Sequence, residues 1–152
     1  MNPRIRRRPA ITGEASRGRY VRFVLARRNR VSGVADGIFG VAWRLAESSR
    51  TARADHTHLS ELLEWISDHL PHPTRVNRSR SKGAGRRNSR GISWLKDDAT
   101  VYLAKFRLLS AILEKYGHRV EMIWEDRVGY IVYEDEFQVV AEPFADTTTE
   151  GA

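Results

Sequence analysis

Residues 74–94 read TRVNRSRSKGAGRRNSRGISW, and this stretch divides the chain. It carries seven basic residues (Arg75, Arg78, Arg80, Lys82, Arg86, Arg87 and Arg90) and no acidic one. Ser and Gly make such a backbone flexible. Unpaired charge keeps it out of a core, so the fold must leave it on the surface. Irregular stretches of this length are uncommon inside a compact domain, and they tend to be functional or disordered. The elements on either side therefore decide the architecture.

C-terminal to it, Leu95, Ala99, Tyr102, Phe106, Leu109, Leu113 and Tyr116 step by four and three residues. This predicts a long core helix that starts between Trp94 and Asp98 and ends at Tyr116. Asp97 and Asp98 suit its positive N-terminal end, and Gly117 suits its C-terminal cap. On this reading Trp94 is the first core residue of that helix; a stacking face for a base is the alternative. His118–Glu125, Tyr130–Glu134 and Phe137–Glu142 alternate and predict a three-stranded antiparallel meander that stops at Pro143.

N-terminal to it, Leu59, Leu62, Leu63, Ile66 and Leu70 form an apolar stripe on a helix over about 57–70, capped by Asp55 or Thr57 and stopped by Pro71 and Pro73. Val34, Ile38, Val41, Ala42 and Leu45 predict another helix, from a Ser32 cap to Ser48. Tyr20–Ala26 is apolar on both faces and reads as an interior strand that can join the meander. The expected fold is α+β: three helices packed on one face of a three- to four-stranded antiparallel sheet, with a long basic loop before the last helix. Residues 1–18 read as a basic flexible tail, 19–146 as one domain containing the loop 75–92, and 147–152 as a second flexible tail.

The 152 residues suit a single domain with a sizeable core. There is no Cys, which excludes disulfides, thiolate metal sites and cysteine nucleophiles. No apolar run reaches the ~20 residues that span a bilayer. No hydrophobic stretch follows the basic N-terminus as a secretory signal requires. A cytoplasmic location is the expectation.

Net charge is +7, unevenly placed. Residues 1–30 carry ten basic and one acidic residue, whereas residues 91–152 carry six basic and twelve acidic. Basic arms on a neutral-to-acidic body are a pattern of nucleic-acid binders. Arginine abundance in polar segments is the plainer explanation, since 22 of the 26 basic residues are Arg.

Candidate chemistry is sparse. His56 and His58 open the 57–70 helix, and His69 and His72 close it. A helix of about 12 residues spans ~18 Å, so the two pairs do not share one ion. The fifth histidine, His118, stands apart. Glu134, Asp135 and Glu136 can be imagined as Mg²⁺ ligands of a nuclease, but no Asp/Glu-x-Lys lies on that strand, and a solvated turn is the expectation. Gly-x-Ser-x-Gly is absent, and Gly83-Ala-Gly85 lacks the remainder of a phosphate loop. No catalytic residue, metal site or cofactor is expected.

The basic stretch has the stronger functional claim. Arginine contacts phosphate bidentately, and a run of arginines gives salt-sensitive, largely sequence-independent binding. The expected function is non-enzymatic association with DNA or RNA through Arg75, Arg78, Arg80, Lys82, Arg86, Arg87 and Arg90. The arm residues Arg6, Arg7 and Arg8 would add contacts. The alternative is a protein–protein interaction module, a regulator or inhibitor that sets the loop against an acidic partner.

The run Gly129-Tyr-Ile-Val-Tyr-Glu-Asp-Glu-Phe-Gln-Val-Val-Ala-Glu-Pro-Phe144, with Ile92-Ser-Trp-Leu-Lys-Asp97 upstream, resembles a family of small bacterial proteins of unassigned function. The resemblance covers about residues 20–146. It implies a bacterial or phage origin and one folded unit, and it supplies no mechanism.

Overall fold

The computed structural model describes residues 19–28, 35–73 and 91–149. Its elements in order are β1 (Tyr20–Arg28), β2 (Ala35–Gly37), α1 (Phe39–Glu47), α2 (Arg53–His69), β3 (Ile92–Lys96), α3 (Thr100–Lys115), β4 (Val120–Glu125), β5 (Tyr130–Glu134) and β6 (Gln138–Glu142). All strand pairs are antiparallel.

β1 organises the sheet because both of its edges are used. One edge pairs with β4 along residues 20–25. The other is shared end to end: Tyr20 and Val21 pair with Lys96 and Leu95 of β3, while Val24 and Arg28 pair with Gly37 and Ala35 of β2. β3 pairs onward with β6, and β6 with β5. The ladder therefore runs β4–β1–β3–β6–β5, with β2 beside the far end of β1.

Side-chain alternation along β1 builds two cores. Val21, Phe23 and Leu25 face the helices, where they join Ile38, Leu59, Leu63, Phe106, Leu109 and Leu113. Phe106 meets both Phe23 and Phe39, with ring centroids 5.4 and 5.2 Å apart. Val24 belongs to a smaller cluster on the opposite face with Ile92, Trp94, Ile123, Val128, Val139 and Ala141. All three helices thus cover one face, as expected.

Several details differ from the expectation. Ile92–Lys96 is a strand, and α3 starts five residues after Leu95. Leu95 still reaches the helix-side core, so its helical spacing to Ala99 and Tyr102 is coincidental. Trp94 points to the other face and is 1% exposed, which removes it as a stacking platform. The meander is replaced by two distant pairings: β4 joins β1, and the β5–β6 hairpin joins β3. Six strands are formed instead of three or four, because β3 and β2 add to the sheet. The helix expected from a Ser32 cap starts only at Phe39, because Ala35–Gly37 instead pairs with β1 as β2; Ser32 itself lies outside the described residues, and α2 begins at Arg53 with no side-chain cap.

Residues 144–149, expected to end in a tail from 147, are held against β1, β4 and the residues that follow β4. Thr147 Oγ1 donates to Arg127 O at 2.8 Å and accepts from Phe144 N. Thr148 N donates to Glu125 Oε1, and Arg22 donates to Thr149 O.

α3 ends in a Schellman cap. Gly117 has φ 88°, its N–H donates to Glu114 O, and His118 N–H donates to Leu113 O. The two long helices are tied together at this end. Asp55 accepts from the Tyr116 hydroxyl at 2.7 Å and pairs with Lys115 at 2.9 Å. The Tyr116 oxygen also accepts from Ala52 N, which supplies one free donor of α2 with a partner.

Three substitutions test the backbone at Gly117 and Gly129 and the Asp55 contacts. Gly117→Ala meets open space and costs the left-handed backbone strain alone, about 1 kcal/mol by chemical denaturation. At Gly129 (φ 122°) an added Cβ would collide with the Glu142 carbonyl, so Gly129→Ala should cost several times more. The Tyr116 hydroxyl first, then Lys115, hold the Asp55 carboxyl below its usual value of 3.8. A depressed folded-state value contributes stability above 3.8 that is lost as pH falls through the folded value. Asp55→Asn should therefore destabilise the chain at pH 7, and the gap to the parent should close below about pH 4 in urea titrations.

Candidate nucleic-acid interface

The predicted phosphate ligands Arg75, Arg78, Arg80, Lys82, Arg86, Arg87 and Arg90 lie outside the described residues, as do Arg6, Arg7 and Arg8. The structure describes both points at which the basic segment leaves and rejoins the body. Pro71–Pro73 follow α2, and Gly91 precedes β3. Gln138 Nε2 donates to Pro71 O at 2.6 Å. At Gly91 an added Cβ would lie 2.6 Å from Val140 Cγ1. Gln138 and Val140 are two residues apart on β6 and share its face, a separation of roughly 7 Å. The described residues that flank the segment, Pro71 and Gly91, therefore both lie against side chains on one face of β6.

The root is held by a turn rich in carboxylates. Asp135 Oδ1 accepts from the backbone N–H groups of Phe137 and Gln138 at 2.8 and 3.1 Å. Its Oδ2 accepts from Tyr133 OH at 2.7 Å and from Gln138 Nε2 at 3.0 Å. The Gln138 amide thus bridges Asp135 and Pro71. Burial pushes the Asp135 carboxyl up, but these hydrogen bonds outweigh it and hold the group below 3.8. The same bond to Asp135 raises the Tyr133 phenol. Glu134 pairs with Lys96 at 2.6 Å. These carboxylates are engaged in building the β5–β6 turn and its junction with β3. Among the described residues, no three His, Asp or Glu side chains are grouped to hold a metal ion.

Aromatic side chains brace the end of α2. The Trp65 and His69 rings stack at 4.1 Å and 13°, and His69 Nδ1 lies 2.8 Å from Trp65 O. Lys105 Nζ sits 4.7 Å from the Trp65 ring centre. Tyr102 packs on Trp65 and Phe137 and donates to His69 O at 3.0 Å. Burial first, then the charges of Asp135 and Glu136, raise the Tyr102 phenol. His72 Nε2 lies 3.0 Å from Ser67 O. His69 and His72 therefore contact the α2 backbone, whereas His56 and His58 lie at the other end of this 17-residue helix.

Sequence reading missed the anchoring residues Gln138, Asp135 and Tyr102. The signal available was Asp135 three residues before Gln138, an Asx-turn pattern. Nothing local connects Gln138 to Pro71, 67 residues away.

The charge contrast between the described body and the basic segment is strong. The described residues hold 17 acidic and 13 basic side chains, whereas residues 75–90 hold seven basic and none acidic. Asp135→Ala removes four accepted hydrogen bonds and should cost about 2 kcal/mol in denaturant titrations. Comparison with known protein families, with curated proteins and with solved structures finds no match.

Proposed function

We propose that this protein associates with nucleic acid without catalysing a reaction on it, using residues 75–90 as its main phosphate-binding element. The observation that carries the reading is that the described residues flanking this span, Pro71 and Gly91, both lie against side chains on one face of β6. The span itself holds seven cations and no anion, whereas the described body is net acidic. A loop with close ends concentrates its charge locally, whatever its internal conformation. Locally concentrated arginines release several counterions from one stretch of backbone.

The body is suited to presentation more than to recognition. Its carboxylates disfavour broad contact with phosphates, so the basic segments are the attractive parts. Phosphate contacts carry no sequence information by themselves. The expected binding is therefore broad in sequence and steep in salt. The arm residues Arg6, Arg7 and Arg8 would add to the same term.

Mobility shifts with DNA and with RNA at two salt concentrations test the reading. Arg86→Ala, Arg87→Ala and Arg90→Ala together should weaken binding. The slope of log affinity against log salt should fall by about 3 for duplex DNA, or about 2 for a single strand. Affinity that is unchanged, or insensitive to salt, would refute it. Absence of nucleic-acid binding combined with a stoichiometric complex with an acidic protein would transfer the basic segment to protein recognition.

A further inference from the structure

Burial removes Trp94 as a face for a nucleic-acid base, but the body carries another aromatic face. It stands at the end of α2 from which the chain enters the basic segment. The Trp65 and His69 rings stack within 13° of parallel at 4.1 Å. One end of this stack is fixed. Trp65 packs against the helix-side core, and the buried Tyr102 ring lies 5.4 Å from it. The other end is open. His69 is exposed, and its Nδ1 lies 2.8 Å from Trp65 O, which sets the orientation of its ring. The Tyr102 hydroxyl donates to His69 O and so holds the backbone that carries the ring. Among the described residues, no ion pair, further hydrogen bond or second ring contact engages His69 Nε2 or the outer ring face. A planar face already held in place costs little ordering when a ligand stacks on it.

The surrounding charges select which part of a ligand can lie there. Glu61, Glu64 and Asp68 are exposed on the same helix, and Asp135 and Glu136 act on the adjacent Tyr102 phenol. One cation is close: Lys105 Nζ lies 4.7 Å from the Trp65 ring centre and makes no ion pair among the described residues. Carboxylates outnumber that cation, so the surface repels phosphate. The open ring suits the flat, uncharged part of a nucleotide, which is the base.

The cations that would hold phosphates begin nearby. Arg75 follows His69 by six residues, no more than about 22 Å of chain whatever its path. A strand with phosphates on the basic segment can therefore set a base on His69. The bases of a duplex are paired and stacked on one another, so an unpaired base is required.

We infer that the His69 face, backed by Trp65, is a stacking site for an unpaired base, and that the ligand class is single-stranded DNA or RNA. The inference rests on the nucleic-acid reading of residues 75–90. Those cations supply the salt-dependent affinity, and the stack supplies the requirement for a base. Every base has a ring face, so the site is tolerant of sequence.

Titration of the full chain with oligothymidylate, and with an abasic strand of the same length, tests it. The parent should bind oligothymidylate more tightly than the abasic strand. His69→Ala should weaken binding of oligothymidylate about tenfold, the loss of one stacked base, and leave abasic binding unchanged. His69→Phe keeps a ring and should retain the affinity, whereas His69→Lys removes the ring and should not. Equal affinity of the parent for the two strands overturns the inference. So does a His69→Ala chain that binds oligothymidylate as the parent does, or one that loses as much affinity for the abasic strand. Any of these results, with salt-steep binding intact, leaves the phosphate role of residues 75–90 standing. A parent that binds neither strand refutes both.

Discussion

β1 is constrained on all four sides, and the rest of the structure follows from meeting those constraints. Both faces are apolar, so each must be buried. Both edges present backbone donors and acceptors that need partners once water is excluded. β4 serves one edge, and β3 and β2 divide the other. Val21 and Val24, three residues apart on β1 and opposite in direction, are both fully buried. The helix layer on one side and the Trp94 cluster on the other are the consequences. No helix among the described residues is long and apolar enough to cross a membrane.

The same strand network sets where the basic segment is presented. β3 is inserted between β1 and β6, so the chain must pass from the end of α2 to the middle of the sheet. Residues 74–90 connect the two, and the described residues on either side, Pro71 and Gly91, lie against Gln138 and Val140. Asp135 is what orients Gln138, and it does so while accepting three other hydrogen bonds. This arrangement keeps the negative charge of Asp135 inside a hydrogen-bonded turn.

Much of the helical layer was legible in the sequence. The 3.6-residue stripes of α2 and α3 are local, and Pro71 and Gly117 mark real ends. The apolar alternation of β1 likewise announced a strand buried on both faces. The charge of residues 75–90 needed no structure to be seen. The misplacement of Trp94 has an equally plain cause. Leu95, Ala99 and Tyr102 satisfy helical spacing, while Ile92–Lys96 also satisfies strand alternation, and a local pattern cannot rank the two.

Tertiary structure decided that ambiguity. Strand identity depends on partners: Ile92–Lys96 is a strand because β6 and β1 supply its hydrogen bonds. The expected meander failed for the same reason, since β4 found β1, nearly a hundred residues earlier, in preference to its sequence neighbour β5. The anchor at Gln138 belongs to this class, linking residues that no window of sequence contains together. Helix periodicity and charge are properties of contiguous residues, so the sequence by itself determined them. Strand pairing and the rooting of the basic segment satisfy hydrogen bonds between distant residues, so the folded chain alone determines them.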